Sequence, residues 1–202
     1  MHTLATFPTR LRHVRAGFLA LMVALVAPLA GAGTATAPLP TESVYHLNAQ
    51  LTDQAGKAFT LVQRRGHPML VGMFYTSCQF VCPMLVDALR DTEAKLTPEE
   101  RSHLSVLLVT IDPARDTTVV LQRTAEERGL DPAHWTVART DAKTTRKLAA
   151  VLGVQYRALP NGDFNHTTDL ILLDADGRIA GRTAQLGSAD AAFVTQVKAV
   201  AR

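Results

Sequence analysis

The 202-residue sequence predicts an α/β protein with a central mixed sheet and helices on both faces. Three observations predict it. Residues 69–75 (MLVGMFY) and 104–111 (LSVLLVTI) are continuous apolar runs, as strands buried on both faces require. Segments with apolar residues at helical spacing alternate with the strands, which implies parallel pairing through helical crossovers. Apolar residues make up 47% of the chain and charged ones 19%, enough for a packed core and too apolar for disorder.

The elements follow in order. Residues 44–51 alternate weakly, Asp53-Gln54-Ala55-Gly56 is a turn signal, and residues 57–62 read as the returning arm of an N-terminal β-hairpin. Gly66-His67-Pro68 breaks the chain before the first core strand, 69–75. Pro83 suits the first position of a helix, with Met84, Leu85, Ala88 and Leu89 at helical spacing behind it. Thr97-Pro98-Glu99-Glu100 is a helix-start pattern. The second core strand, 104–111, ends at Asp112-Pro113, and Thr117 or Thr118 can cap a helix that runs to Arg128 and Gly129. A strand around 135–137 precedes a helix that opens at Asp141 and stops at Gly153. Residues 154–157 read as a short strand, and Asn161-Gly162 is a tight-turn signal. Residues 169–173 pair with 178–181 across Ala175-Asp176-Gly177, and Ser188 caps a final helix over 189–202.

A hairpin, three strand–helix units, a second hairpin and a last helix match a thioredoxin-like plan. The functional crevice of an open α/β sheet lies at the carboxyl ends of its strands. Residues 76–82 and 112–116 fall there.

The N-terminus reads as an address. Arg10, Arg12 and Arg15 precede an apolar run at 18–29, and Ala30-Gly31-Ala32 fits a cleavage site. The run is shorter than the ~20 residues of a spanning helix, and Pro28 interrupts it. Residues 1–32 are therefore expected to be a signal peptide, or an anchor if uncleaved, and 33–42 a linker. The domain is expected over 43–202, exported to an oxidising compartment such as the periplasm. Three of the 21 basic residues precede residue 33 and no acid does, so the remainder balances 18 against 18. That balance argues against nucleic acid as a partner. Membrane contact is expected only if the N-terminal segment is retained.

Both cysteines of the chain, Cys78 and Cys82, form a C-x3-C pair after a buried strand and at a helix start. Cys82 is expected at the cap position, where the helix dipole favours thiolate. A structural disulfide closing so small a loop would contribute only about 2 kcal/mol in the chain-entropy model. The remaining readings are thiol redox chemistry and metal binding. Two thiolates with an imidazole suit Cu(I) or Zn(II), and two cysteines alone leave such a site incomplete.

The segments FYTSCQFVCP, VTIDPARDT and NHTTDLILLDADG resemble the Sco/SenC family of copper-binding, thioredoxin-like proteins. The resemblance runs from about residue 43 to the C-terminus. It implies Cu(I), with Cu(II) also conceivable, on Cys78, Cys82 and His166, and Asp112 as an acidic group beside the site or at the docking surface. It implies delivery to a cuproprotein, the copper centre of cytochrome c oxidase, and a thiol-reductant partner that keeps the cysteines reduced. Gln79 stands where many members have Pro, which bears on the rim of the site and so on partner choice.

The other four histidines after residue 33, His46, His67, His103 and His134, read as ordinary surface or core residues. His166 precedes the strand at 169–173, where thioredoxins place a cis-proline. Met73 and Met84 read as core, and Asp116 as a helix cap. A metal carrier without turnover is one function class. A thiol-disulfide oxidoreductase is the other, with Cys78 attacking and Cys82 resolving or the reverse. Peroxide reduction lacks its threonine three residues before a cysteine, since Tyr75 and Gln79 stand there.

Overall fold

The structure is a computed structural model that describes His2 and residues 37–202. The expected signal segment and most of the expected linker lie outside the described residues. In chain order the elements are β1 (Gln50–Asp53), β2 (Ala58–Thr60), β3 (Met69–Phe74), α1 (Val81–Glu93), α2 (Pro98–His103), β4 (Ser105–Thr110), α3 (Thr118–Glu127) and β5 (Trp135–Arg139). They continue with α4 (Ala142–Leu152), β6 (Tyr156–Ala158), β7 (Phe164–His166), β8 (Leu170–Leu173), β9 (Ile179–Thr183) and α5 (Ala191–Val200). Among the described residues, no helix is long and apolar enough to cross a membrane.

Seven strands form one mixed sheet in the order β2-β1-β5-β4-β3-β8-β9. β3, β4 and β5 are parallel, while β1, β8 and β9 pair antiparallel with their neighbours. All six residues of β3 are buried, and successive side chains on a strand face opposite ways, so both faces of the sheet centre are covered. The apolar runs of the sequence are these central strands. Gly72 shows how closely the layers meet: a Cβ there would lie 3.0 Å from Leu85 of α1 and 3.1 Å from Leu108 of β4.

The N-terminal hairpin forms, but β1 starts at Gln50 rather than at residue 44. Residues Val44–His46 make a 3-10 turn capped by Ser43, whose hydroxyl accepts the Tyr45 N–H at 3.2 Å. Val44 donates to the Gly177 carbonyl at 2.9 Å, and Tyr45 packs where a Cβ on Gly177 would sit, 2.7 Å away. Packing onto the β8–β9 turn thus takes this segment out of the sheet, and His46 with it. The helix-start pattern at Thr97 is a complete short helix, α2, with a reciprocal Thr97–Glu100 capping box. The last helix is capped by Asp190 rather than Ser188, because the Asp190 carboxylate reaches the Ala192 and Phe193 N–H groups. β6 and β7 form a separate two-stranded ribbon.

Glu93, at the end of α1, is buried against Trp135 of β5, whose indole N–H donates to its carboxylate at 2.9 Å. Burial pushes the Glu93 carboxyl above its usual range, and the Trp135 hydrogen bond only partly offsets it. The folded protein then holds this proton to a higher pH than the unfolded chain does. Stability is lost as pH rises from the ordinary glutamate range through the folded value. Glu93→Gln keeps an acceptor for Trp135 without that loss. The variant is expected to be more stable than the parent at neutral pH and no more stable at pH ~4, below the usual glutamate value. Urea unfolding followed by fluorescence of Trp135, the sole tryptophan of the chain, measures it. Gly72→Ala is expected to cost roughly 1–3 kcal/mol in the same assay, through overpacking against Leu85 and Leu108.

Candidate metal centre

The cysteine loop runs from the end of β3 into α1. The cap residue of α1, Phe80, offers no side-chain acceptor, and Pro83 has no N–H. The first free N–H groups of a helix need acceptors. The Cys78 sulfur is one: it accepts the Cys82 N–H at 3.4 Å. Burial pushes the Cys78 thiol up, but hydrogen bonds from the Cys82 backbone and thiol and from the Phe80 and Val81 N–H groups outweigh it and leave the thiol below its usual value.

Cys82 is not at the cap, as expected from sequence, but one residue inside the helix, and only 2% exposed. Burial pushes its thiol far above the usual range, and the adjacent Cys78 sulfur adds to the rise. Thiolate is therefore favoured at Cys78, which is half-buried, and not at Cys82. The reason for the reversal is that α1 begins two residues before Pro83 rather than at it. Both cysteines are free thiols.

His166 ends β7, on the ribbon that doubles back through Asn161-Gly162. Its Nδ1 lies 3.0 Å from the Thr167 carbonyl. With Nδ1–H donated there, Nε2 carries the free lone pair. Burial lowers the His166 pKa, which keeps the ring neutral. A neutral imidazole with a free Nε2 is the form a metal takes.

Tyr75 stands between the two halves. Its ring meets His166 edge-on at 5.8 Å and Phe164 edge-on at 5.2 Å. Its hydroxyl accepts the Phe164 N–H at 3.5 Å, and burial, with the neighbouring Cys78 adding to it, raises its pKa. Among the described residues, no three His, Cys, Asp or Glu side chains converge closely enough to hold a metal ion. The fold thus brings Cys78 and Cys82 together and sets His166 across Tyr75 from them. The donor set, two sulfurs and a neutral imidazole, fits a soft metal such as Cu(I).

The other sequence candidates separate. Asp112 is 6% exposed and its carboxylate is held by Arg115. Asp116 is not a helix cap; Thr117 caps α3 instead. The Asp116 carboxylate is buried and accepts the Thr76 N–H at 3.1 Å together with the Thr76 and Thr110 hydroxyls. Those donors face inward at the ends of β3 and β4, which draws the side chain in. Met73 is core, but Met84 is 44% exposed, with Phe80 at 79% beside the cysteine loop. Met84 lies off the buried stripe of Leu85, Val86 and Leu89, so it does not pack in the core. His46 and His103 approach backbone carbonyls of Pro40 and Ala201. Sequence reasoning passed over Tyr75 and Phe164. No local feature of the sequence marks either one as a site residue.

Comparison with known proteins bears on the fold and the family. A copper-binding protein by description from Stutzerimonas stutzeri is 26% identical over 136 residues, spanning 65% of each chain. The chain thus spans just under two thirds of that relative's length. Bradyrhizobium japonicum ScoI, solved with copper bound, is 25% identical, with a TM-score of 0.60 over 75% of this chain and 96% of that one. BsSco, described as a member of the Sco family of cytochrome c oxidase assembly proteins and as having a disulfide switch, is 19% identical, with a TM-score of 0.64 over 75% of this chain and 90% of that one. The SCO1/SenC family matches residues 41–202, so that the thioredoxin-like sheet, the C-x3-C loop and the histidine ribbon all lie inside the match, and this chain belongs to the SCO1/SenC family.

Proposed function

We propose that this protein carries Cu(I) on Cys78, Cys82 and His166 and passes it to a cuproprotein, the copper centre of cytochrome c oxidase. The observation that carries the reading is the pairing of two free thiols at the start of α1 with the His166 imidazole, whose Nδ1 faces the Thr167 carbonyl, across Tyr75. Family membership and the copper in the related Bradyrhizobium structure support it. Copper is the cargo here. Low-coordinate thiolate ligation binds Cu(I) tightly, and a half-buried Cys78 leaves one sulfur open to an incoming ligand from the acceptor. Export to the periplasm, by the signal segment at 1–32, would place the carrier beside such an acceptor.

Cu(I) titration of the reduced chain against a chromophoric chelator tests this. One copper per chain is expected. Cys78→Ser and Cys82→Ser each abolish tight binding. His166→Ala weakens it by more than the ~10–100-fold typical of losing an outer-shell partner. Tight binding that ignores all three substitutions sinks the carrier reading.

A thiol-disulfide role has its own support in the contrast between the cysteines. Cys78 is the more exposed thiol and the one whose thiolate is stabilised; Cys82 is buried and held protonated. That order makes Cys78 the attacking sulfur and Cys82 the resolving one. Iodoacetamide is expected to label Cys78 at least about tenfold faster than Cys82, since exposure and thiolate fraction act together. Peptide mass spectrometry over a time course reads the two rates, and equal rates contradict the assignment.

A further inference from the structure

The loop after β4, Asp112-Pro113-Ala114-Arg115-Asp116, touches both halves of the site. On the cysteine side, Asp116 is 1% exposed and takes the Thr76 N–H and two hydroxyls. Thr76 is two residues before Cys78. On the histidine side, Arg115 donates from Nε to the Asp112 carboxylate and from Nη2 to the Gly162 carbonyl. Gly162 is the turn of the β6–β7 ribbon, and its φ of 88° suits glycine. The Arg115 guanidinium also lies 5.8 Å from the Phe164 ring centroid, on the strand that ends at His166.

The ribbon needs such a hold. It has three residue pairs and is outside the main sheet's hydrogen-bond ladder. A two-stranded ribbon is marginally stable alone, so side-chain contacts decide where it stands. Thr167 N–H to the Gln155 carbonyl at 2.8 Å ties its base, and Tyr75 braces its middle. Arg115 ties its tip. A guanidinium fork can grip a carboxylate and a carbonyl at once in fixed geometry, which a lysine ammonium does less well.

We infer that Arg115 is a positioning residue for the metal site: seated on Asp112, in a turn that Asp116 anchors to the cysteine loop, it sets how the His166 ribbon stands over Cys78 and Cys82. Its consequence for copper rests on His166 being a ligand, as proposed above. Its consequence for the ribbon does not.

The test uses the full, reduced chain. Hydrogen exchange of the metal-free protein is measured for wild type, Arg115→Ala and Arg115→Lys. Exchange across residues 156–166 is expected to be about tenfold faster in Arg115→Ala, the scale of one charge-assisted hydrogen bond, with β3 and β4 unchanged and Arg115→Lys between. Cu(I) affinity is then compared for Arg115→Ala, His166→Ala and the double variant. The double variant is expected to bind no more weakly than His166→Ala alone, because Arg115 acts through that ligand. Wild-type exchange in the ribbon of Arg115→Ala overturns the inference. So does a double variant in which the two losses multiply. If His166→Ala alone leaves copper affinity unchanged, the ligand assignment fails, and ribbon exchange decides the positioning role by itself.

Discussion

The unpaired N–H groups at the start of α1 are the constraint around which the cysteine site is arranged. A helix start without a capping side chain must find acceptors. Phe80 supplies none, and Cys78 turns its sulfur back onto the Cys82 N–H. Three residues between the cysteines let the first sulfur lie outside the helix as acceptor while the second is already within it. That geometry divides two chemically identical thiols. One is half-buried with N–H donors around it. The other is driven into the core by the helical face it occupies, with Leu85, Val86 and Leu89. At the outer sulfur the donors outweigh burial, while at the inner one burial dominates.

Legibility in the sequence followed from how local each determinant was. The central strands were readable because a strand covered on both faces must be apolar at every position, as 69–75 and 104–111 are. The C-x3-C pair was readable because both cysteines lie close together in the sequence. The position of Cys82 was misread since Pro83 suggested a helix start that the fold places two residues earlier. Asp116 was misread for a different reason. Asp before Thr-Thr is a good cap by local rules, but its buried partners Thr76 and Thr110 come from the ends of two strands that only the folded sheet brings together. The 3-10 turn at Val44–His46 likewise depends on Gly177, far along the chain. The nearness of His166 to the cysteine loop came from the family resemblance, not from spacing, and Tyr75 as the residue between them had no local mark.

The two candidate activities ask for different things from the same atoms. Thiol exchange needs an accessible thiolate and a second sulfur in reach, and the cysteine loop alone provides both. Copper carriage as proposed needs the imidazole as well, and that group arrives on a ribbon outside the main sheet. The sulfurs are held next to the main sheet, Cys82 within α1 and Cys78 in the loop that the buried Asp116 carboxylate anchors at Thr76. A lightly held arm brings the nitrogen. The arm is held by contacts of modest strength: an aromatic edge, a half-exposed guanidinium and a backbone hydrogen bond.

That difference in attachment bears on release. A carrier whose three ligands were all set in the sheet would pay no ordering cost on binding, and it would hold copper until a partner displaced three fixed groups at once. If His166 is the third ligand, as proposed, its place on a separately tethered ribbon would let an acceptor compete with the imidazole first while both sulfurs keep the metal. On that reading, ligand exchange would proceed one bond at a time without leaving the ion bare. The tethers would then set the balance: a looser ribbon would weaken retention, and a tighter one would slow transfer. Placing Tyr75, rather than solvent, between the ribbon and the cysteine loop also keeps the metal-free histidine neutral by burial, so its lone pair is available without first losing a proton.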